Sequence, residues 1–364
     1  MIRRYRRDAV IILLLLLAPL LWFAPVALGG KTLLPADNLF SFEPWSSVAQ
    51  EMGVGTPHNE LLSDLILENY AWKRLLREAI QSRELPLWNP YLFAGAPFLA
   101  AGQHSALYPF SVLFYILPLS RAYGLFTWLQ FALAGICMYV YARVLRMGRP
   151  AATLAGVVFM FSGFFLVSVV FSMIIAAAAW LPALLACIEM VVRKQEEKGD
   201  RDYSPVPYVL VGAVVLGVQT LAGHIEITYY TLLVAAFYSA WRLLQLWRGL
   251  GTPKPALRLA AWLLVMVALG LILGGVELLP FYELASNSFR QGAVGYDDVV
   301  GWAWPVRQVL TFLVPDIFGN PSHHSYRDLW SGSLQVPVSA AGEQVRTIFW
   351  GVKNYVEGAN YVGI

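Results

Sequence analysis

Seven windows of this chain, at about residues 9–29, 122–142, 150–169, 172–192, 205–223, 225–245 and 258–279, are apolar and nearly free of charge. As a helix rising about 1.5 Å per residue, each is long enough to match the roughly 30 Å hydrocarbon core of a bilayer. In lipid every backbone N–H and C=O must be satisfied internally, so helices are the economical way across. The windows therefore predict an all-α polytopic membrane protein. Residues 150–188 contain no charged side chain at all. That run is too long for one crossing, so a hairpin is expected near Val170 to Ser172.

Composition agrees. Of the 364 residues 58 % are hydrophobic and 13 % charged, against about 25 % charged in soluble globular chains. The net charge of +3 does not indicate nucleic acid, because the basic residues sit in short clusters between apolar windows. Cys137 and Cys187 fall inside apolar runs and read as packing residues. Arg3, Arg4, Arg6 and Arg7 precede the first window, which is longer than a signal-peptide core and reads as a retained helix.

The basic residues also set an orientation. With the N-terminus inside, the short connections around Arg143 to Arg149, Arg193 to Arg201 and Arg242 to Arg258 all face the cytoplasm. That satisfies the positive-inside rule and predicts a multi-pass chain with its N-terminus cytoplasmic. Two long segments then lie outside, 31–121 and 281–364. Seven spans leave the C-terminus outside with nothing closing the bundle. The expectation is an N-terminal portion of a longer protein, its second outer loop incomplete.

The first outer loop holds the chemistry-bearing residues. An amphipathic helix is predicted over 59–83, with Leu61, Leu65, Trp72, Leu76 and Ala79 on one face and Leu85-Pro86 as its stop. Glu60, Asp64 and Glu68 recur every four residues and stack three carboxylates. Such a stack is either a solvated face favoured by the helix dipole or a face turned to a cation. Arg74 and Arg77 come in later turns and could hold phosphate. Asp37 lies a few residues past the first span. It is either turn material or a carboxylate at the membrane–water boundary, beside the route of a lipid-linked substrate. Residues 105–119 are apolar but broken by Pro109 and Pro118, and read as a re-entrant or interfacial segment.

Several ordered pieces of sequence carry a resemblance. Asp37, Ser63-Asp64-Leu65 to Arg77, Leu85-Pro86-Leu87-Trp88-Asn89-Pro90, Gly95-Ala96-Pro97-Phe98 and Tyr108-Pro109-Phe110 resemble the start of the bacterial YfhO-type membrane proteins. Phe161-Ser162-Gly163-Phe164, Trp180-Leu181-Pro182, Gly223-His224, Leu278-Leu279-Pro280 and Pro315-Asp316-Ile317-Phe318-Gly319 continue it. That family is similar to the GT-C glycosyltransferases. The resemblance therefore implies a bacterial plasma-membrane protein, with a GT-C-like helical bundle and a large first extracytoplasmic loop. It also implies transfer of a sugar from a polyprenyl-phosphate donor to a cell-envelope polymer or glycolipid on the outer face. By order along the chain the catalytic carboxylate would be Asp37. Asp64 would assist, and with Glu68 it could hold a divalent cation such as Mg or Mn. Arg74, Arg77, Arg290 or Arg307 would steady the departing lipid phosphate.

Other polar groups near the spans are cavity candidates. They are Glu60, His104, His224, Glu226 and Glu277, of which the last three could equally stay hydrated at the interface. No Gly-rich phosphate loop or nucleophile elbow occurs. Besides sugar transfer, two other functions remain open. One is a transporter or flippase of a lipid-linked precursor, whose signature would be ionisable residues near mid-depth and repeated, interrupted spans, whereas Glu226 and Glu277 lie toward the outside. The other is a non-catalytic scaffold for envelope assembly.

Overall fold

A computed structural model describes residues 2–55, 57, 59–199, 203–288, 292, 294–301, 303–344 and 355. It is mostly helical. In chain order the helices are α1 (Ile2–Leu17), α2 (Leu20–Ala27), α3 (Tyr70–Gln81), α4 (Val112–Ile116), α5 (Leu119–Val144), α6 (Arg149–Met160) and α7 (Gly163–Val167). Next come α8 (Ser172–Ala178), α9 (Leu181–Lys198), α10 (Val206–Thr220), α11 (Ile225–Leu250), α12 (Lys254–Leu273), α13 (Gly275–Ser286) and α14 (Tyr296–Gly301). There are also two small antiparallel hairpins, β1 (Trp88–Asn89) with β2 (Ala96–Pro97) and β3 (Tyr326–Arg327) with β4 (Leu334–Gln335).

Among the described residues four helical stretches are long and apolar enough to cross a membrane: 119–144, 149–167, 172–198 and 254–273. The pair 6–17 and 20–27 makes a fifth if its 55° bend is counted within one span. Pro19 sits at that bend, where its missing N–H and its ring interrupt the helical ladder. The chain is thus an α-helical membrane protein. Two of the seven expected windows stand apart from these. Helix α10 has only 15 residues, and α11 is long but diluted by Tyr, Thr, Trp and Arg. The window at 258–279 also divides, since α12 stops at Leu273 and α13 begins after Gly274.

The chain forms two compact units. The first comprises Met1–Thr32, Leu75–Met160 and Ser172–Arg290. Its core is built from α9, α10, α11 and α12, with Leu184, Ile188, Val191, Leu216, Leu259 and Met266 almost wholly buried. Small residues let other helices close up. A Cβ on Gly156 would lie 2.8 Å from the Gly135 carbonyl oxygen, so α5 and α6 touch backbone to backbone. Leu21, Phe237, Leu257, Leu264 and Ile272 stay more than two-thirds exposed on the outside of this bundle, as lipid-facing side chains do.

One end of the bundle gathers basic residues, and their ion pairs tie its helices together. Arg149 reaches Asp8 at 2.7 Å, and Tyr139 donates to Asp8 at 2.6 Å, joining α1 to α5 and α6. Arg242 on α11 grips Glu189 on α9 at 2.7 and 3.0 Å, and Tyr238 adds a third hydrogen bond at 2.6 Å.

The second unit comprises Leu33–Arg74, Phe161–Phe171 and Gln291–Ile364. Most of its described segments are short 3₁₀ turns and loops. The 3₁₀ turn Ala36–Ser41 packs against a π-helical turn, Leu65–Asn69.

Two expectations change here. The helix predicted over 59–83 is a 3₁₀ turn at Glu60–Leu62, the π turn, and then α3. A π turn inserts residues relative to α geometry and rotates the turns after it. The buried stripe accordingly reads Leu65, Ile66, Asn69, Lys73 and Leu76, and Trp72 and Ala79 sit only half-buried. The apolar segment 105–119 contains just the five-residue helix α4 after a 3₁₀ turn, because Leu117 turns extended ahead of Pro118.

Candidate functional site

In the second unit the candidate site is the Asp37 turn together with the buried polar residues on it and on the helical segment it packs against. Asp37 is half-buried on the 3₁₀ turn that leans on the π turn. Its neighbour Asn38 is 1 % exposed and donates from Nδ2 to the Asn59 carbonyl at 2.8 Å, while its Oδ1 is buried without a hydrogen-bond partner. Asn59 in turn caps the next segment by accepting from Leu61 N–H at 3.1 Å. Across the contact, Asn69 is buried on the π turn, and one turn further Lys73 is completely buried. Burial pushes the Lys73 ammonium down to about 7, because low dielectric disfavours its charged form.

The remaining expected residues of this unit do not all join those buried groups. Glu60, Asp64, Glu68 and Arg74 are exposed. Burial, then the charge of Asp64, raises the Glu68 carboxyl, so these two carboxylates feel each other. The 3₁₀ and π turns break the four-residue stacking expected for all three. Among the described residues no three His, Cys, Asp or Glu side chains converge to hold a metal ion. Arg307 is exposed on the 3₁₀ turn Val306–Phe312. Arg290 lies outside the described residues. A further carboxylate, not singled out from the sequence as a site, is Asp316. It accepts from Asn320 Nδ2 at 2.9 Å and from the Tyr355 hydroxyl at 3.1 Å, with His323 Nε2 at 4.0 Å.

The first unit holds its own cluster, at the end of the bundle where α10 finishes and α11 begins. Glu277, in the first turn of α13 beyond the end of α12, is 3 % exposed, and its Oε1 has no hydrogen-bond partner. Desolvation pushes its carboxyl up to about 8. It is packed against the turn at Gly102, where a Cβ would stand 3.0 Å from Glu277 Oε1 and where φ is +73°. Only glycine meets both conditions cheaply. Gly223 presses on the same turn, its would-be Cβ 2.3 Å from the Gly102 carbonyl oxygen.

His104, beside that turn, has both ring nitrogens engaged by the backbone. Ala106 N–H donates to Nδ1 at 3.1 Å, which leaves Nε2 to donate to the Phe98 carbonyl at 2.9 Å. Its ring is 2 % exposed and lies 4.4 Å from that of Phe98. It holds a loop together. Ser105 fastens this loop to the end of α10 by donating to the Ala222 carbonyl at 2.7 Å. His224 caps α11, its Nδ1 accepting from Ile227 N–H at 3.3 Å, and burial lowers its pKa against the opposing effect of Glu226. Glu226 itself is exposed. Arg77, half-buried, donates to the Leu117 carbonyl at 3.1 Å.

Lys73 is the residue that the sequence pattern does not single out. It stands in the first turn of α3, just after the π turn, at the edge of the apolar face. Its spacing from Asn69 and Leu76, four and three positions away on the buried stripe, was the available signal. The chain matches no protein-family model, no curated protein and no solved structure.

Proposed function

We propose that this protein is a membrane glycosyltransferase that moves a sugar from a polyprenyl-phosphate donor to a cell-envelope acceptor on the outer face of the membrane. The observation that carries the reading is the Asp37 turn. There a half-exposed carboxylate stands next to the buried Asn38 on a 3₁₀ turn that packs against the π turn carrying the buried Asn69, ten positions beyond the end of α2. The resemblance to the YfhO-type and GT-C proteins supports the same assignment. In this reading the acceptor hydroxyl attacks the anomeric carbon, and the bond from that carbon to the phosphate oxygen breaks. The hydroxyl proton passes to Asp37, and polyprenyl phosphate leaves. Arg74, exposed one residue after Lys73, supplies positive charge toward the phosphate. Asp64 and Glu68 are two carboxylates without a third His, Cys, Asp or Glu converging on them among the described residues. A Mg²⁺ or Mn²⁺ ion there would be held mainly by phosphate and water. The N-terminus and the basic helix ends then face the cytoplasm.

The test is transfer of a radiolabelled sugar from a polyprenyl-phosphate donor by protein reconstituted in vesicles, with Asp37→Asn as the comparison. Transfer that depends on Asp37 supports the reading, and transfer at an unchanged rate removes Asp37 from the mechanism.

A second reading, transport or flipping of a lipid-linked precursor, is favoured by one observation. Glu277 is a buried carboxyl with an unpartnered oxygen, as proton-coupled carriers keep within their bundles. Movement of a labelled lipid precursor that tracks an imposed pH gradient and is lost in Glu277→Gln would support it.

A further inference from the structure

We propose that the β1–β2 hairpin of the first unit is a lipid-inserting element, with the tip residues Tyr91, Leu92 and Phe93 seated in the headgroup–acyl boundary of the bilayer. The proposal does not rest on sugar transfer.

The first observation is chemical. Residues 85–120 form a run of 36 without one Asp, Glu, Lys or Arg, although they lie between membrane-crossing windows where an aqueous loop would carry charge. The hairpin occupies the early part of that run. Large apolar side chains on it and just before it point away from the protein: Phe93 is 91 % exposed, Tyr91 81 %, Leu85 76 %, Leu87 58 % and Trp88 54 %. Exposed aromatic and aliphatic groups on this scale mark a binding surface.

The second observation is conformational. Phe93, Ala94 and Gly95 adopt φ values of +49°, +63° and +118° in succession. Left-handed backbone is unfavourable for phenylalanine and alanine. Here it turns the Phe93 ring outward, where it gains almost no cover from the protein. The tip is nevertheless well held. Gly95 N–H donates to the Leu92 carbonyl at 2.7 Å, Tyr91 N–H to Asn89 Oδ1 at 3.0 Å and Phe98 N–H to the Leu87 carbonyl at 2.8 Å. The Trp88 ring covers Gly95, where a Cβ would lie 2.4 Å from Trp88 Nε1. A rigid turn that presents uncovered aromatic rings is preorganised for a partner.

The third observation says which partner. The hairpin root continues into buried Phe98, stacked on His104, and the same loop is hydrogen-bonded through Ser105 to the carbonyl of Ala222 at the end of α10. The root is therefore bolted to the bundle whose outer surface, with Leu264 and Ile272 71 % exposed on α12, is the lipid-facing one. Trp and Tyr favour interfacial depth, and Phe and Leu the acyl side of it. An uncharged tip at the end of an apolar bundle fits a lipid surface, with no charge to complement a polar protein face.

The test places a nitroxide on the full chain at Phe93→Cys and separately at Tyr91→Cys, in phosphatidylcholine–phosphatidylglycerol vesicles. Native Cys137 and Cys187 are buried and are replaced by Ala. Arg146→Cys, on the basic end, serves as the aqueous reference and Leu264→Cys on α12 as the lipid reference. The expected result is a ratio of oxygen to nickel-chelate accessibility several-fold above the Arg146 reference at both tip sites. The corresponding depth is roughly 5–10 Å below the headgroups. A ratio equal to the aqueous reference would overturn the proposal. So would accessibility to neither reagent, which would mean cover by protein, or dipolar broadening between labels, which would mean a second copy of the chain. Two separately labelled tip sites keep the measurement decisive if one variant fails to accumulate.

Discussion

Two glutamates of the first unit are almost equally buried and could hardly be treated more differently. Glu189, 4 % exposed at the basic end of the bundle, receives two hydrogen bonds from Arg242 and one from Tyr238. Glu277, 3 % exposed near the turn between α10 and α11, has an oxygen with no hydrogen-bond partner. Burial alone therefore does not assign a role. A fully paired carboxylate fastens α9 to α11, and its energy lies in satisfied hydrogen bonds. An unpaired one costs stability, and a fold keeps such a group where protonation or a ligand uses it. Lys73 in the second unit resembles Glu277 in its titration, since burial has shifted it toward neutrality.

The largest stability effect should come from breaking the paired member. Glu189→Ala takes away the main partner of a mostly buried Arg242 and leaves it Glu196 at 3.0 Å and Gln245 at 2.7 Å. The protein should lose about 3 kcal/mol, the lower end of the range for a broken buried pair, read as a fall in unfolding temperature in detergent. Glu277→Gln should do no such damage. Equal losses in the two variants would erase the distinction between the glutamates.

The pH dependence sharpens the contrast. The Glu277 carboxyl is raised from 4.5 to about 8 in the fold. The native state therefore binds more protons than the unfolded chain across that window, and Glu277 lowers stability as pH rises through it, by at most about 1.4 kcal/mol per pH unit. Lys73 is lowered from 10.5 to about 7, so the unfolded chain binds more protons between those values. Its contribution runs the other way: stability climbs from pH 7 toward 10.5, at most about 1.4 kcal/mol per unit. Chemical unfolding from pH 5 to 10 should show the falling slope vanish in Glu277→Gln and the rising one vanish in Lys73→Met. Either variant that kept the parent slope would show that its residue does not titrate in this way.

The smallest effect concerns the hairpin tip. Tyr91→Ser with Phe93→Ser should leave unfolding temperature in detergent nearly unchanged, because both side chains are more than four-fifths exposed. A large loss would mean the tip is structural.

How far the chain could be read in advance depends on the range of each interaction. Apolar windows are local, and helices occupy all seven of them. The helix breaks were less legible. Pro19 and Gly274 sit inside windows whose composition stays apolar, so hydropathy passes over the bend and the stop. Lys73 was hidden for a subtler reason. Placing a residue on a helix face assumes 3.6 residues per turn from a known start, and Lys73 stands at the edge of the apolar face just after the π turn Leu65–Asn69. Glu277 was visible as an ionisable group near a span, but its surroundings depend on the turn at Gly102, far earlier in the chain. His104 was legible as polar but not as a loop tie, because its ring nitrogens bond backbone atoms that no residue type announces.

Whether the Asp37 turn is a catalytic site is decided most sharply by sugar transfer in the reconstituted protein with Asp37 changed to Asn. Asn keeps the shape and the turn-forming capacity of Asp and removes only the charge and the proton acceptor. Turnover should fall by ~10²- to 10⁴-fold, with expression and unfolding temperature unchanged. Asp37→Asn protein that folds normally and transfers sugar at the parent rate would refute the assignment.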